Sequence, residues 1–185
     1  MRLNRLLPAA SLAVLSALVC WTPLKLTVAF AQSEIAGQKV VAVSGVVTGT
    51  VQGVGFRAMI QKQAIQYNLA GSAENNADKS VQFVLQGPQD RIDQALKAIR
   101  KGTKKSSNVK VGLSSAEVKA NLETFTVFGW TSLSRHISHP YDLVFNRRHD
   151  DTIISKHDAK AVWLGICEKT VEGEDMGKCD KDDVQ

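Results

Sequence analysis

The sequence has few cysteines, few aromatic residues and, beyond its first 31 residues, no long apolar run. Three of its 185 residues are cysteines, and aromatic residues make up 6% of the chain. Without a long apolar run after residue 31, that part of the chain is not expected to cross a membrane as a helix. A hydrophobic fraction of 44% with 22% charged residues is typical of a globular protein, so we expect a buried core.

Acidic residues are absent from residues 1–31, which carry Arg2 and Arg5 ahead of an apolar stretch at 12–19. This stretch is too short to span a bilayer. The segment ends in the small-x-small triplet Ala-Phe-Ala, which is typical of a cleavage site. The pattern predicts a signal peptide over 1–31, cleaved before Gln32, and therefore an exported protein that is periplasmic or secreted.

The formal charge of +5 falls to +2 without the leader, because the leader holds three of the 23 basic residues and no acidic residue. Such a small net charge gives little support to nucleic-acid binding, and we predict none. Residues 32–130 carry 12 basic and 7 acidic side chains, whereas residues 131–185 carry 8 and 11. We therefore predict one domain over 32–130, followed by an accessory acidic tail over 131–185.

Hydrophobic periodicity within 32–130 predicts the order of the secondary-structure elements. Apolar or small residues alternate with period two at 41–51, 81–85 and 109–113, which predicts strands, and a further strand-like run lies at 125–128. Apolar residues recur at helical spacing at 56–67 and 92–99, and turn-forming residues at 72–79 indicate the end of another strand and a hairpin. This order predicts an α+β, ferredoxin-like split βαβ sandwich, in which an antiparallel sheet is covered on one face by two helices.

A glycine-containing loop, VQGVGFR at 51–57, connects the first predicted strand to the first predicted helix. Its two glycines let the backbone bend so that several N–H groups point into one small space, and the helix adds its positive end. An arginine in the first helical turn can donate two parallel hydrogen bonds to a phosphoryl group. The pattern is compatible with a plain tight turn or with a phosphate-binding loop made of Gln52, Gly53, Val54, Gly55, Phe56 and Arg57.

The loop, at the opening of the first helix of a split βαβ domain, resembles the signature loop of the acylphosphatase family. The family's second functional residue is an asparagine 18 positions after the arginine, and that spacing falls on Asn75 in GSAEN. The sequence departs from the family pattern at three places. Ser72 and Glu74 replace its usual aromatic and basic residues, and Lys79 replaces its turn glycine.

The resemblance implies an enzyme that hydrolyses small acyl phosphates to a carboxylate and orthophosphate, with no metal, cofactor or covalent intermediate. It implies two catalytic residues. Arg57 would hold the phosphate together with the loop amides, and Asn75 would orient the attacking water. The alternative is a non-catalytic module that retains the anion-binding loop and binds a phosphorylated ligand or partner.

Two cysteines remain after the predicted cleavage, Cys167 and Cys179, and an even pair in an exported protein predicts a disulfide. The apolar run at 161–167 predicts a strand that packs on the domain, and residues 168–185 are strongly charged.

All four histidines lie in the tail, and the first two have HxxH spacing. No HExxH pattern is present, so we predict no metal site. The basic cluster at 100–105 is interpreted as a solvated helix end, with a functional binding patch as the alternative.

Overall fold

A computed structural model describes residues 39–131 and 140–168 of the chain. The leader, His136, His139 and Cys179 lie outside the described residues. In chain order the elements are β1 (Val40–Thr50), α1 (Phe56–Tyr67), β2 (Ala70–Asn75), β3 (Val81–Pro88), α2 (Gln89–Lys101), β4 (Ser107–Ala116), β5 (Thr124–Trp130), β6 (Tyr141–Asn146) and α3 (Lys156–Cys167).

The strands form one sheet in the order β4-β1-β3-β2-β5-β6. Neighbouring strands are antiparallel, except that β5 runs parallel to β2, with Gly71 opposite Phe125 and Ala73 opposite Val127. The predicted α+β, ferredoxin-like fold is confirmed, although the sheet is mixed rather than purely antiparallel. The parallel pair places the ends of β2 and β5 at the same edge of the sheet.

The core lies between the helices and one face of the sheet. Alternate residues of β3, Val81, Phe83 and Leu85, are buried. The predicted stripe of α2 is also buried, with Ile92, Ala95, Leu96 and Ile99 at helical spacing. The period-two and helical patterns therefore predicted correctly which faces of β3 and α2 are buried.

One prediction about the C-terminal part of the chain is wrong. Residues 161–167 form the second half of helix α3 and not a strand. Ser155 caps this helix, because its hydroxyl accepts the Asp158 N–H at 3.1 Å and donates to the Asp158 carboxylate at 2.7 Å. This reciprocal cap starts a helix that buries Ala159, Trp163 and Cys167.

The strand of this region lies earlier, at β6, where Leu143 and Phe145 are buried and their neighbours are exposed. β6 extends the sheet beyond β5, and α3 packs on α1 and β6. Whether residues 131–185 are accessory to the chemistry stays a prediction.

A buried glutamine joins α1 to both C-terminal elements. Gln61 is fully buried, and its amide nitrogen donates to the Leu143 carbonyl at 2.8 Å. Its amide oxygen accepts the indole N–H of Trp163 at 3.1 Å. A buried amide needs such partners, and here β6 and α3 provide them for a residue of the domain's core.

Cys167 is also fully buried. Its predicted disulfide partner, Cys179, lies outside the described residues, so the pairing stays a prediction.

Candidate active site

The loop between β1 and α1 is shaped by two glycines with left-handed backbones. Gly53 has φ 70°, and Gly55, the N-cap of α1, has φ 69° and ψ 19°. A residue with a Cβ would be strained at either position, which explains the glycines. No side chain caps the start of α1, and its first turn holds no acidic residue. The first amides of the helix are therefore available to an anion.

Gln52 ties this loop to the hairpin turn between β2 and β3. Its side-chain amide donates to the carbonyls of Asn76 at 2.9 Å and Ser80 at 2.7 Å. Asn75, the last residue of β2, immediately precedes the turn. The predicted phosphate loop and the predicted water-positioning residue are thereby held next to each other.

The turn is closed by its own polar side chains. The Asp78 carboxylate accepts both the backbone N–H and the hydroxyl of Ser80, at 2.9 and 2.6 Å. These hydrogen bonds lower the pKa of Asp78 from its ordinary value, because they stabilise the charged form. Lys79 has φ 73°, a backbone conformation that favours glycine, so the departure from the family pattern at this position introduces strain.

Asn75 is exposed at the end of β2. Within the described part of the chain, its side-chain amide has no hydrogen-bond partner. Glu74, which precedes it, points to the opposite face of the sheet because side chains alternate along a strand. The carboxylate is therefore directed away from the face on which Asn75 lies.

Arg57, in the first turn of α1, is half-buried and fixed at one end. Its Nη1 donates to the carbonyl oxygens of Phe128 at 2.6 Å and Gly129 at 3.0 Å. The guanidinium carbon lies 5.5 Å from the centre of the Trp130 ring. Burial lowers the pKa of Arg57, because it disfavours the charged form, yet an arginine stays charged at any physiological pH.

The two carbonyls belong to an irregularity in β5. The pairing of β5 with β6 shifts register between Val127 and Trp130, and Gly129 has φ 58°. The Gly129 N–H donates to the Asp142 carboxylate of β6 at 2.9 Å. A β-bulge of this kind redirects backbone groups, and here it presents two carbonyls to Arg57.

Trp130 closes this corner of the site. It is 3% exposed, and its ring meets Trp163 edge-on at 5.9 Å. Within residues 39–131 and 140–168, its indole N–H is buried without a hydrogen-bond partner. Arg57 is therefore held between a bulge and an aromatic pair that includes a residue of α3.

The predicted site residues thus meet at one edge of the sheet. β2 and β5 are parallel, and Ala73 of β2 lies opposite Val127 of β5. The residues that follow this pair therefore lie side by side. They are Glu74 and Asn75 on β2, and Phe128 and Gly129 on β5. Sequence reasoning missed the residues that hold Arg57. Gly129 gave one usable signal, since an isolated glycine in a strand pattern suggests a bulge.

Other predicted groups lie apart from the site. His149 and His157 are exposed, and in the part of the chain that the structure describes no three His, Cys, Asp or Glu side chains are grouped as a metal would require. None of the described helices is long and apolar enough to span a bilayer.

Known proteins that are similar to this chain include acylphosphatases. The family model described as acylphosphatase matches residues 43–127. The acylphosphatase of Koribacter versatilis (strain Ellin345) is 36% identical over 83 residues, which cover 45% of this chain and 76% of that protein. The acylphosphatase of Corynebacterium efficiens is 41% identical over 85 residues, which cover 46% of this chain and 84% of that protein.

A solved structure matches over a similar span. The match to the crystal structure of acylphosphatase from Bacillus subtilis has 27% sequence identity and a TM-score of 0.44. It covers 47% of this chain and 96% of that chain. The family-model match ends at residue 127, so β6, α3 and the three residues around the bulge lie outside it.

Proposed function

Because the chain belongs to the acylphosphatase family, we propose that it hydrolyses the carboxyl-phosphate bond of small acyl phosphates through the loop 52–57, Arg57 and Asn75. The reaction yields a carboxylate and orthophosphate. We extend the proposal to two finer points, that the reaction needs no metal ion and that the protein acts after export.

The observation that carries the proposal is the meeting of three groups at one edge of the sheet. Gln52 joins the loop to the turn after Asn75, and Arg57 reaches the end of β5, which lies beside the end of β2. An uncapped helix start, a fixed cation and an exposed amide are thus adjacent. Together they can bind a phosphoryl group and orient a water molecule.

The donors that remain on Arg57 fit this role. Within the described residues, its hydrogen bonds all come from Nη1, which uses both of its N–H groups on the Phe128 and Gly129 carbonyls. Nε and Nη2 still carry three N–H donors between them. That edge of the guanidinium can donate two parallel hydrogen bonds to two phosphoryl oxygens.

To catalyse this reaction, the protein mainly has to position the reacting groups and neutralise charge. A carboxylate is a good leaving group, so no strong acid is needed to protonate it. Phosphoryl transfer is catalysed mainly by orienting the nucleophile and by neutralising charge on the phosphoryl oxygens. The loop amides and Arg57 supply the charge, and the Asn75 amide positions the water, which supports a mechanism without a metal ion.

Export is proposed from the sequence of 1–31 alone. A disulfide between Cys167 and Cys179 is proposed with it, since an oxidising compartment would permit the bond. N-terminal sequencing of the protein from its native cell should begin at or close to Gln32. Recovery of the chain with Met1 from the cytoplasm would contradict the proposed export.

The activity is tested with acetyl phosphate in the presence of a metal chelator. Arg57→Ala should abolish turnover and weaken inhibition by orthophosphate, because Arg57 contacts phosphate in both the bound and the transition state. Asn75→Ala should lower kcat about 100-fold while orthophosphate still binds, as expected for the loss of one positioned polar group.

Two exposed residues away from the site, Arg100 and Asn146, provide matched controls. Arg100→Ala and Asn146→Ala should retain the parent rate. A parent protein that binds orthophosphate and shows no turnover would favour the binding module instead. Turnover that disappears with the chelator and returns with a divalent cation would contradict the metal-free mechanism.

A further inference from the structure

A groove of about 340 Å³ lies between the three helices, outside the site described above. None of the loop residues 52–57 lines it. Its lining residues are Met59, Lys62, Gln63, Gln66, Ala98, Lys101, Gly102, Thr103, Lys104, Lys156, Ala159 and Lys160. Its volume is at the lower end of the range of small-molecule sites.

The groove is strongly cationic. Five of its twelve lining residues are lysines and none is acidic. Within the described parts of the chain, Lys101, Lys104, Lys156 and Lys160 have no ion-pair partner. Their charges therefore add to a positive potential over the groove.

Helix stability accounts for only some of these lysines. Lys101 ends α2, and Lys104 follows it closely, where a cation is favourable beside the negative end of the helix. Lys156 and Lys160 lie in the first half of α3, and Lys156 is its first residue. A cation beside the positive end of a helix is unfavourable, so Lys156 is placed there at a cost to the helix.

An unpartnered amide in the groove is a second, independent observation. Gln63 is 8% exposed and lines the groove. Its side-chain amide has no hydrogen-bond partner among the described residues. The amide is open to the groove, since among the described residues only Trp130 Nε1 is a side-chain polar atom that is both fully buried and without a partner. Its N–H donors and its oxygen are therefore available to a ligand. The floor beside it is apolar, with Met59, Ala98 and Ala159.

We propose that this groove binds a small organic anion with an apolar body and two or more negative charges. Lys101, Lys104, Lys156 and Lys160 pair with its charges, the apolar floor receives its body, and the Gln63 amide hydrogen-bonds a polar atom of the ligand. This site does not depend on the proposed hydrolysis, because it shares no lining residue with the phosphate loop.

The test is calorimetric titration of the purified full chain with naphthalene-2,6-dicarboxylate at neutral pH and low salt. This probe is a flat apolar dianion without a phosphoryl group. We expect saturable one-to-one binding that weakens as salt is added. The neutral analogue 2,6-bis(hydroxymethyl)naphthalene should bind at least about tenfold more weakly, since it lacks charge-assisted hydrogen bonds.

Two double variants that remove the same charge distinguish binding in the groove from a non-specific attraction between the dianion and a basic protein. Lys156→Gln with Lys160→Gln should lower the affinity about tenfold or more. Lys97→Gln with Lys110→Gln removes the same charge from exposed positions outside the groove and should leave the affinity unchanged. Equal losses in the two double variants, or no saturable binding to the parent, would overturn the proposal.

Two single variants complete the experiment. Gln63→Leu should weaken binding of the dianion, because it removes the amide that is open to the groove. An unchanged affinity in Gln63→Leu would overturn its assigned role as a ligand contact.

Arg57→Ala should bind the dianion as the parent does, and loss of binding in that variant would place the dianion in the phosphate loop instead. Saturable binding of an acidic peptide with no binding of the dianion would assign the groove to a protein partner and overturn the small-molecule proposal.

Discussion

Two regions contribute different groups to one site: the region that matches the family, residues 43–127, and the C-terminal region, taken here as the described residues 128–131 and 140–168. The first provides the loop, Arg57 and Asn75, which are the groups proposed to act on the substrate. The second provides the carbonyls that hold Arg57 and the aromatic residue beneath it. A match that ends at residue 127 thus includes the groups proposed to react and leaves out the carbonyls that fix Arg57.

The comparison extends to the core. Leu143, Phe145 and Trp163 are buried against the family-matching region, and Gln61 of that region is satisfied by C-terminal groups. A shorter chain would leave this buried glutamine with only its longer hydrogen bond, from the amide nitrogen to the Phe125 carbonyl at 3.4 Å, and its amide oxygen without a donor. We therefore expect 39–131 and 140–168 to fold as one unit.

The largest expected effect is on stability, from Trp163→Ala. The change removes a fully buried indole and leaves the amide oxygen of Gln61 without its donor. Loss of a buried tryptophan destabilises by about 3–5 kcal/mol. Chemical denaturation measures the difference, and Val162→Ala, at a neighbouring position that is 39% exposed, should change stability by less than about 1 kcal/mol. Similar results for the two variants would break the argument that α3 belongs to the core.

A smaller effect is expected on activity, from Asp142→Ala. The Gly129 N–H would lose its acceptor, and the bulge that presents two carbonyls to Arg57 would relax. A hydrogen bond of this kind is worth about 1 kcal/mol, so kcat/KM should fall by roughly tenfold or less. Asp142→Asn retains an oxygen that can accept the same N–H, so it should restore most of the rate.

The decisive readout is kcat/KM measured well below the unfolding temperature, together with inhibition by orthophosphate. If Asp142 positions Arg57, Asp142→Ala should lower kcat/KM and weaken inhibition by orthophosphate, and Asp142→Asn should restore both quantities. If Asp142→Ala lowers only the unfolding temperature, the C-terminal region would be structural and would not position Arg57.

A gain in stability is expected within the family-matching region, from Lys79→Gly. Lys79 has φ 73°, where glycine is unstrained, whereas Ala77 in the same turn does not have a positive φ. Relief of the strain, less the greater entropy loss of glycine, should stabilise by about 0.5–1 kcal/mol. Ala77→Gly is the matched control and should destabilise slightly. Denaturation curves in which both variants move in the same direction would contradict the strain assigned to Lys79.

Local patterns predicted most of the family-matching region, since alternation, helical spacing and the loop VQGVGFR each depend on neighbouring residues. Asn75 was predicted from the resemblance to the acylphosphatase family, which has an asparagine 18 positions after the arginine. The partners of Arg57 could not be found in this way, because Phe128 and Gly129 lie more than 70 positions away and are brought to it by the pairing of β2 with β5.

The error at α3 has a different cause. Residues 161–167 form a short apolar run, which periodicity alone does not assign to a helix or a strand. The pattern Ser155-x-x-Asp158 ahead of that run is a helix-start signal, and attention to it would have predicted the helix. A local signal was also present for β6, because its apolar residues alternate with period two and Leu143 and Phe145 face the core.

The smallest expected effect concerns pH and a carboxylate that joins the two regions. Asp151 accepts hydrogen bonds from Asn68 at 2.9 Å and Arg91 at 2.8 Å, and Arg147 lies 3.2 Å away. Partial burial raises the pKa of Asp151, but the hydrogen bonds from Asn68 and Arg91 and the charges of Arg91 and Arg147 outweigh it, so the pKa lies below its ordinary value. The folded state therefore binds this proton more weakly than the unfolded chain does.

A lowered pKa in the folded state fixes the sign of the pH dependence. The stabilisation from Asp151 is complete above the unfolded pKa of about 4 and is lost as the pH falls through the lower, folded value. Asp151→Asn should therefore flatten the acid limb of a plot of unfolding free energy against pH. Asp93→Asn, at an exposed aspartate of α2 with no ion-pair partner in the described residues, should leave that limb closer to the parent curve. If the two variants flatten the limb equally, the contacts of Asp151 with Asn68 and Arg91 do not couple the regions, and the C-terminal region is held to the rest by its buried side chains alone.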